Sequence, residues 1–261
     1  PFFFDSSSAL SSYVRDWTSD VGAAELIYGL NSNANTTLDI VAGTLTIAGP
    51  ASNTISGPVT NDGEIAVDSN LIIDGAHVTD IESTAGFTVG SGHTLVLENG
   101  AVVSGGTLTN DGTVHVETST GATLDGVKVD NTGGGTVQVD VSEVAATLVL
   151  DDGATITGGK LSLGNSGEVE IGAGGAGLTD VAVLNGTGDV PTGEILIDSG
   201  AILTLAESSV TGGTIVNNGT AAVSGTLTLS GVTFSGGTID DFIVVSGSII
   251  AGDIDIAASS R

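Results

Sequence analysis

The feature that most constrains this chain is its internal repetition, punctuated by glycine and turn residues. Four stretches superimpose: TLTIAGPASNTISGPVTNDGEIAV (Thr44 to Val67), TLVLENGAVVSGGTLTNDGTVHV (Thr94 to Val116), TLVLDDGATITGGKLSLGNSGEVEI (Thr147 to Ile171) and ILTLAESSVTGGTIVNNGTAAV (Ile202 to Val223). A spacing of this kind, roughly 50 residues from one start to the next, marks a repeat array, which builds a surface more readily than an active site.

Within each stretch the pattern is strand, turn, strand, turn. In Thr94 to Leu97 the leucines Leu95 and Leu97 share one face and Thr94 and Val96 the other, because strand side chains alternate with period two. The same parity holds for Leu148 with Leu150, Leu203 with Leu205 and Leu227 with Leu229. These leucines are expected inside, stacked as a ladder, with Thr, Asp and Asn facing water. Glycine pairs at Gly105-Gly106, Gly158-Gly159, Gly212-Gly213 and Gly236-Gly237 mark one corner. Asn61-Asp62-Gly63, Asn110-Asp111-Gly112 and Asn217-Asn218-Gly219 mark a second, since these residues tolerate left-handed backbone angles.

Between these stretches lies a related half, IDGAHV (Ile73 to Val78), LDGVKV (Leu124 to Val129), LTDVAV (Leu178 to Val183) and LSGVTF (Leu229 to Phe234). The halves read as variants of one unit of roughly 24 to 30 residues, the size of one solenoid coil of three short strands. The expected fold is therefore all-β, a right-handed parallel β-solenoid. A string of antiparallel sandwiches is disfavoured, because sandwiches want longer strands and an aromatic anchor. Residues 41–261 contain no Trp or Tyr.

Residues 1–40 differ. Phe2, Phe3, Phe4, Tyr13, Trp17 and Tyr28 all lie there, and Leu10, Val14, Trp17, Val21 and Leu26 have weak helical spacing. This segment is expected to form an atypical N-terminal cap or docking element, partly helical, ahead of a solenoid over residues 41–261. Pro1 in place of Met, with no leader-like stretch behind it, suggests a mature product or a piece of something longer.

Composition narrows the function. Four Lys and Arg oppose 31 Asp and Glu, a formal net charge of -27. That field repels phosphate backbones and anionic lipid, so nucleic acid is not an expected partner. No apolar run reaches membrane-spanning length, so insertion by a transmembrane helix is not expected either. Dense Leu/Ile/Val alternation argues against disorder. The chain has no Cys, which removes thiol chemistry.

The combined pattern, a TLVL strand, a DGA turn, a TGG corner and then TLDGV, resembles the repeat regions of giant secreted surface proteins of proteobacteria, especially the adhesin-like and haemagglutinin-like proteins of rhizobial species. The resemblance covers Thr44 to about Asp241. It implies an exported, extracellular or cell-surface protein that serves adhesion, biofilm formation or surface-layer assembly, with no catalytic residues to transfer.

The residues support no catalytic centre. His77, His93 and His115 read as solvent-facing, His77 aligning with Lys128 and Ala182. With 31 acids, opposed carboxylate pairs arise by chance and identify no glycosidase. No cofactor is required. Structural Ca²⁺ is the one weighed, on the oxygen-rich loops Asp151-Asp152-Gly153, Asp240-Asp241 and Asn185 to Asp189. Thr-x-Thr motifs at Thr44, Thr107 and Thr226 fall at different places in the unit, which disfavours an ice-binding face.

The expected role is non-enzymatic and structural or adhesive. Partners would be further copies, joined head to tail into a homo-oligomer or filament through Phe2, Phe3, Phe4, Ile249, Ile250, Ile254 and Ile256, or surface glycans. A monomeric carbohydrate-binding adhesin and a β-helix polysaccharide lyase or hydrolase are the alternatives.

Overall fold

Short strands separated by tight corners leave each strand unable to bury its apolar side alone, and the chain solves this by winding. The computed structural model describes residues 2–3, 16–17, 24–35, 37–50, 52–80, 82, 84–140, 145–186, 192–240, 243–246, 249–251 and 255–257. It is all-β, a parallel β-solenoid of three sheets with 13, 12 and 10 strands. From Thr44 onward the chain visits the first, third and second sheets in strict rotation and returns to the first one coil further along. Neighbouring strands are parallel, as Leu45 with Ile65 and Leu95 with Val114 illustrate.

Coils are shorter and more variable than the sequence pattern implies. One circuit carries the chain from Leu45 to Ile65, a longer one from Val129 to Ile156, and a much shorter one from Leu229 to Val245. Most corners need only two residues, which lets a coil shrink below the expected length. Gly105 and Gly106 make one such corner with φ of 74° and 68°, a backbone that side chains with a Cβ resist.

The core is a continuous apolar column, and the strand parity holds throughout. Leu95, Leu97, Leu148, Leu150, Leu203, Leu205, Leu227 and Leu229 are all fully buried. They do not stack on one another, however. Leu95 lies between Leu71 and Val114 on the third sheet, Leu148 between Ala122 and Val169 on the second, and Leu203 between Ala176 and Ala221 on the first. The expected leucine ladder is replaced by mixed rows of Leu, Ile, Val and Ala.

The cause is the phase of the repeat. The strands Thr44–Ala48, Thr94–Glu98, Ala146–Asp151 and Ile202–Ala206 each come seven strands after the one before. At three strands per coil, seven strands make two and one third coils, so each repeat starts one sheet further round. The glycine pairs follow suit. Gly105-Gly106 turns the second sheet into the first, Gly158-Gly159 the first into the third, and Gly212-Gly213 the third into the second.

Strands Ala24–Tyr28 and Leu38–Ile40 already pair with the stack, through Ile27 with Ile47 and Ile40 with Asn61. The helical spacing from Leu10 to Val21 falls mostly outside the described residues, Asp16–Trp17 being described as a strand.

Candidate functional site

Polar residues at the corners divide into two kinds, and the buried kind does structural work. Asn61, Asn110, Asn185 and Asn217 end strands with side chains at most 1% exposed, contrary to the expectation that Asn faces water. Asn110 shows the arrangement in full. Its Oδ1 accepts from the Gly112 amide at 3.1 Å, while its Nδ2 donates to Thr136 O at 3.2 Å and Asn131 Oδ1 at 2.9 Å one coil on. Asn217 repeats it, accepting from Gly219 N and donating to Thr238 O. Asn110 and Asn217 thus satisfy their own turns and tie them to the next coil, which offsets the cost of burying an amide, whereas Asn185 makes only the tie, to Thr214 O.

Asn61 follows the same plan, but its upper neighbour is acidic. Its Nδ2 donates to Asp80 Oδ1 at 2.6 Å, and Asp80 is 7% exposed with Oδ2 unpartnered among the described residues. Burial pushes the Asp80 carboxyl up to about 6, against the lowering effect of the Asn61 hydrogen bond.

The outward faces carry the excess acid in short runs on neighbouring rungs. Glu168 pairs in register with Glu194 on the second sheet, and Asp74 with Glu98 on the third. Partial burial first, and then the neighbouring acids, raise Glu168, Glu170 and Glu98 above the usual carboxylate range. Asp130 is lowered instead, by the hydroxyl and amide hydrogen bonds of Thr132.

The three histidines do not converge. His77 is exposed and touches Ser104 Oγ at 3.3 Å, and it shares its outward position with exposed Lys128 and Ala182 as the alignment anticipates. His93 is half-buried at a corner. His115 corrects the expectation of exposure. It points outward from the third sheet yet is 9% exposed, with Nδ1 2.9 Å from Glu117 Oε1. Burial lowers its pKa, against the opposing pull of Glu117 and Asp140.

The loops weighed for calcium are engaged in backbone contacts. Asp151 Oδ1 accepts from the amides of Asp152 at 2.9 Å and Gly174 at 2.6 Å, and Asn185 donates its Nδ2 to Thr214 O while its Oδ1 is buried without a partner among the described residues. Asp189 and Asp241 lie outside the described residues. Among the described residues no three His, Asp or Glu side chains are grouped to hold a metal ion.

Five of the seven residues expected at an assembly interface are described, in strands toward the two ends of the stack. Strand Phe2–Phe3 pairs with Ile27 and Tyr28. Strand Ile249–Ala251 pairs with Thr233 to Ser235, and Ile256 pairs with Ile239. Phe4 and Ile254 lie outside the described residues.

Two of the Thr-x-Thr motifs, Thr44 to Thr46 and Thr107 to Thr109, come onto the outer face of the first sheet despite their different places in the repeat. Glu64 and Ala66, then Lys128 and Asp130, interrupt that face.

No protein-family model matches the sequence, and no curated protein matches it. Among solved structures the chain is similar to a TibC-catalysed hyper-glycosylated fragment of TibA spanning residues 55–350. That similarity has 16% identity and a TM-score of 0.43, over 91% of this chain and 98% of the fragment.

Proposed function

We propose that this chain is a non-enzymatic structural or adhesive element of a bacterial cell surface, exported and working outside the cell as a self-supporting rod. The observation that carries the reading is the unbroken rotation of strands through three sheets, with an apolar core running inside the coils from Ile27 to Ile239. Such a body offers three long solvated faces and spends its buried polar groups on coil-to-coil ties. The histidines of the described stack lie apart, and its acids line neighbouring rungs. The rod takes surface glycans or further copies as partners and needs no cofactor.

In the assembly form of the proposal, copies join end to end. Phe2–Phe3 and Asp255–Ala257 are the outermost described strands of the first sheet, and a parallel strand has two hydrogen-bonding edges.

Electron microscopy and analytical sedimentation of the purified chain test this, alongside a variant lacking Pro1 to Phe4. Filaments from the intact chain and single rods from the variant are the expected result. Filaments from both would sink the docking role of the phenylalanines, and one small species from both would favour a monomeric glycan-binding adhesin. A fall in the viscosity of an acidic polysaccharide on incubation with the chain would overturn the non-enzymatic reading.

A further inference from the structure

The seven-strand period has a second property: equivalent strands have equivalent neighbours. From Val59 onward each strand pairs with the one three before it and, until the stack ends, with the one three after, so a repeat moved by seven strands meets the same phase of the pattern on both sides. Leu95 meets Leu71 below, while Leu148 and Leu203, one and two repeats later, meet Ala122 and Ala176 at the matching position. The pattern runs on, since the strand Ile243–Ser246 comes seven strands after Ile202–Ala206 and falls on the third sheet.

What recurs from repeat to repeat is the interior. The inward pairs are Leu45 with Ile47, Leu95 with Leu97, Leu148 with Leu150, and Leu203 with Leu205, all at most 4% exposed. The outward residue between them is Thr46, Val96, Val149 or Thr204. Interior and corners are therefore written in a form that fits any of the three sheets, whereas the outer face is free to vary.

We infer that the seven-strand repeat is an interchangeable block, which lengthens the stack by two and one third coils and turns everything beyond it onto the next face. At a rung of about 4.8 Å each block adds about 11 Å of length. Whatever outward residue a repeat carries, its equivalents in the following repeats stand on successive faces around the rod, not along one side. This inference is independent of what the surface binds.

The test removes one block, residues 94–146, joining His93 to Thr147. In the full chain Ile72 faces out of the third sheet beside Val96, and Val149 faces out of the second beside Thr123. In the deletion variant the segment from Thr147 takes the place of the one from Thr94, and Val149 comes beside Ile72. The chain has no cysteine, so Ile72→Cys with Val149→Cys gives one possible disulfide. Neighbouring rungs bring the two Cα atoms within disulfide range.

The expected result is near-complete crosslinking in the deletion variant and none in the full chain carrying the same pair. Crosslinking of His77→Cys with Val149→Cys in the deletion variant would mean that the segment kept to the second sheet, and would overturn the inference. A companion variant carries residues 94–146 twice in tandem, which keeps every original block. It should fold and crosslink the second copy's Val96→Cys to the first copy's Thr123→Cys. Failure of both variants to fold also overturns the inference.

Discussion

Replacing Asp80 by Asn should stabilise the protein at neutral pH, and the gain should shrink in mild acid. Asp80 is buried at a corner of the second sheet, holds one hydrogen bond from Asn61 and has a carboxyl raised from 3.8 to about 6. A raised acid binds more protons folded than unfolded, so its contribution is fully present below 3.8 and is lost as pH rises through about 6. The gap of about 2.2 units, at about 1.36 kcal/mol each, amounts to about 3 kcal/mol at pH 7. Asparagine at this position carries no charge to desolvate and keeps an Oδ1 for Asn61. The next repeat already uses that pairing, Asn110 with Asn131. Urea unfolding followed by far-UV circular dichroism at several pH values between 4 and 8 reads the effect. Asp80→Asn should gain up to about 3 kcal/mol at pH 7, less the cost of an Nδ2 left without a partner as in Asn131, and the gain should shrink steadily toward pH 4. A variant weaker than the parent at pH 7, or a difference that does not change with pH, would refute the argument that burial of charge controls this corner.

Gly121 has φ of 58°, and a Cβ there would lie 1.9 Å from Thr147 O, whereas Gly100 has φ of 79° with open space around it. Gly121→Ala should therefore lower the thermal midpoint far more than Gly100→Ala, which costs only the backbone strain of about 1 kcal/mol. Asn110→Ala removes a staple and strands the Gly112 amide and Thr136 carbonyl, a loss of about 2 to 4 kcal/mol in chemical denaturation. Because Asp151 Oδ1 already accepts from two backbone amides and no three acids of the described residues are grouped to hold a metal ion, EDTA should leave the melting temperature unchanged, and a fall of several degrees would restore a calcium role. As pH falls from 7 to about 5, the raised carboxyls of Asp80, Glu98, Glu168 and Glu170 add stability and the lowered His115 subtracts from it, so parent stability should rise and His115→Gln should steepen the rise.

Local rules carried far in this chain. The alternation in TLVL is enough to put Leu95 and Leu97 inside, and the Gly-Gly and Asn-Asp-Gly signals are enough to place corners, because both depend on a few consecutive residues. Which sheet a strand joins depends on how many strands precede it. The corner chemistry is the same at all three edges, so the alignment of Thr44, Thr94, Thr147 and Ile202 carries no mark of the rotation between them. The role of Asn61 was hidden for a related reason. Its partners Asp80 and Gly86 lie 19 and 25 residues away, and the letters of a solvated turn asparagine and a buried one are identical. His115 kept its outward parity and lost only its exposure, through surroundings that two-residue alternation does not describe. The sequence singles out no catalytic or ligand site, and among the described residues acids pair along neighbouring rungs, as Glu168 with Glu194 and Asp74 with Glu98.

The coils differ in length, from the long circuit between Val129 and Ile156 to the short one between Leu229 and Val245, yet the cost of closing a loop grows only slowly with its length, and this has a kinetic consequence. Each new layer closes one short loop onto a finished template, so the entropic toll of ordering comes in small, similar instalments and never as one large closure. Folding can then advance like a crystal face, one layer at a time from whichever end is first laid down. A chain that emerges progressively from one end hardens behind its leading edge without waiting for the remainder to arrive.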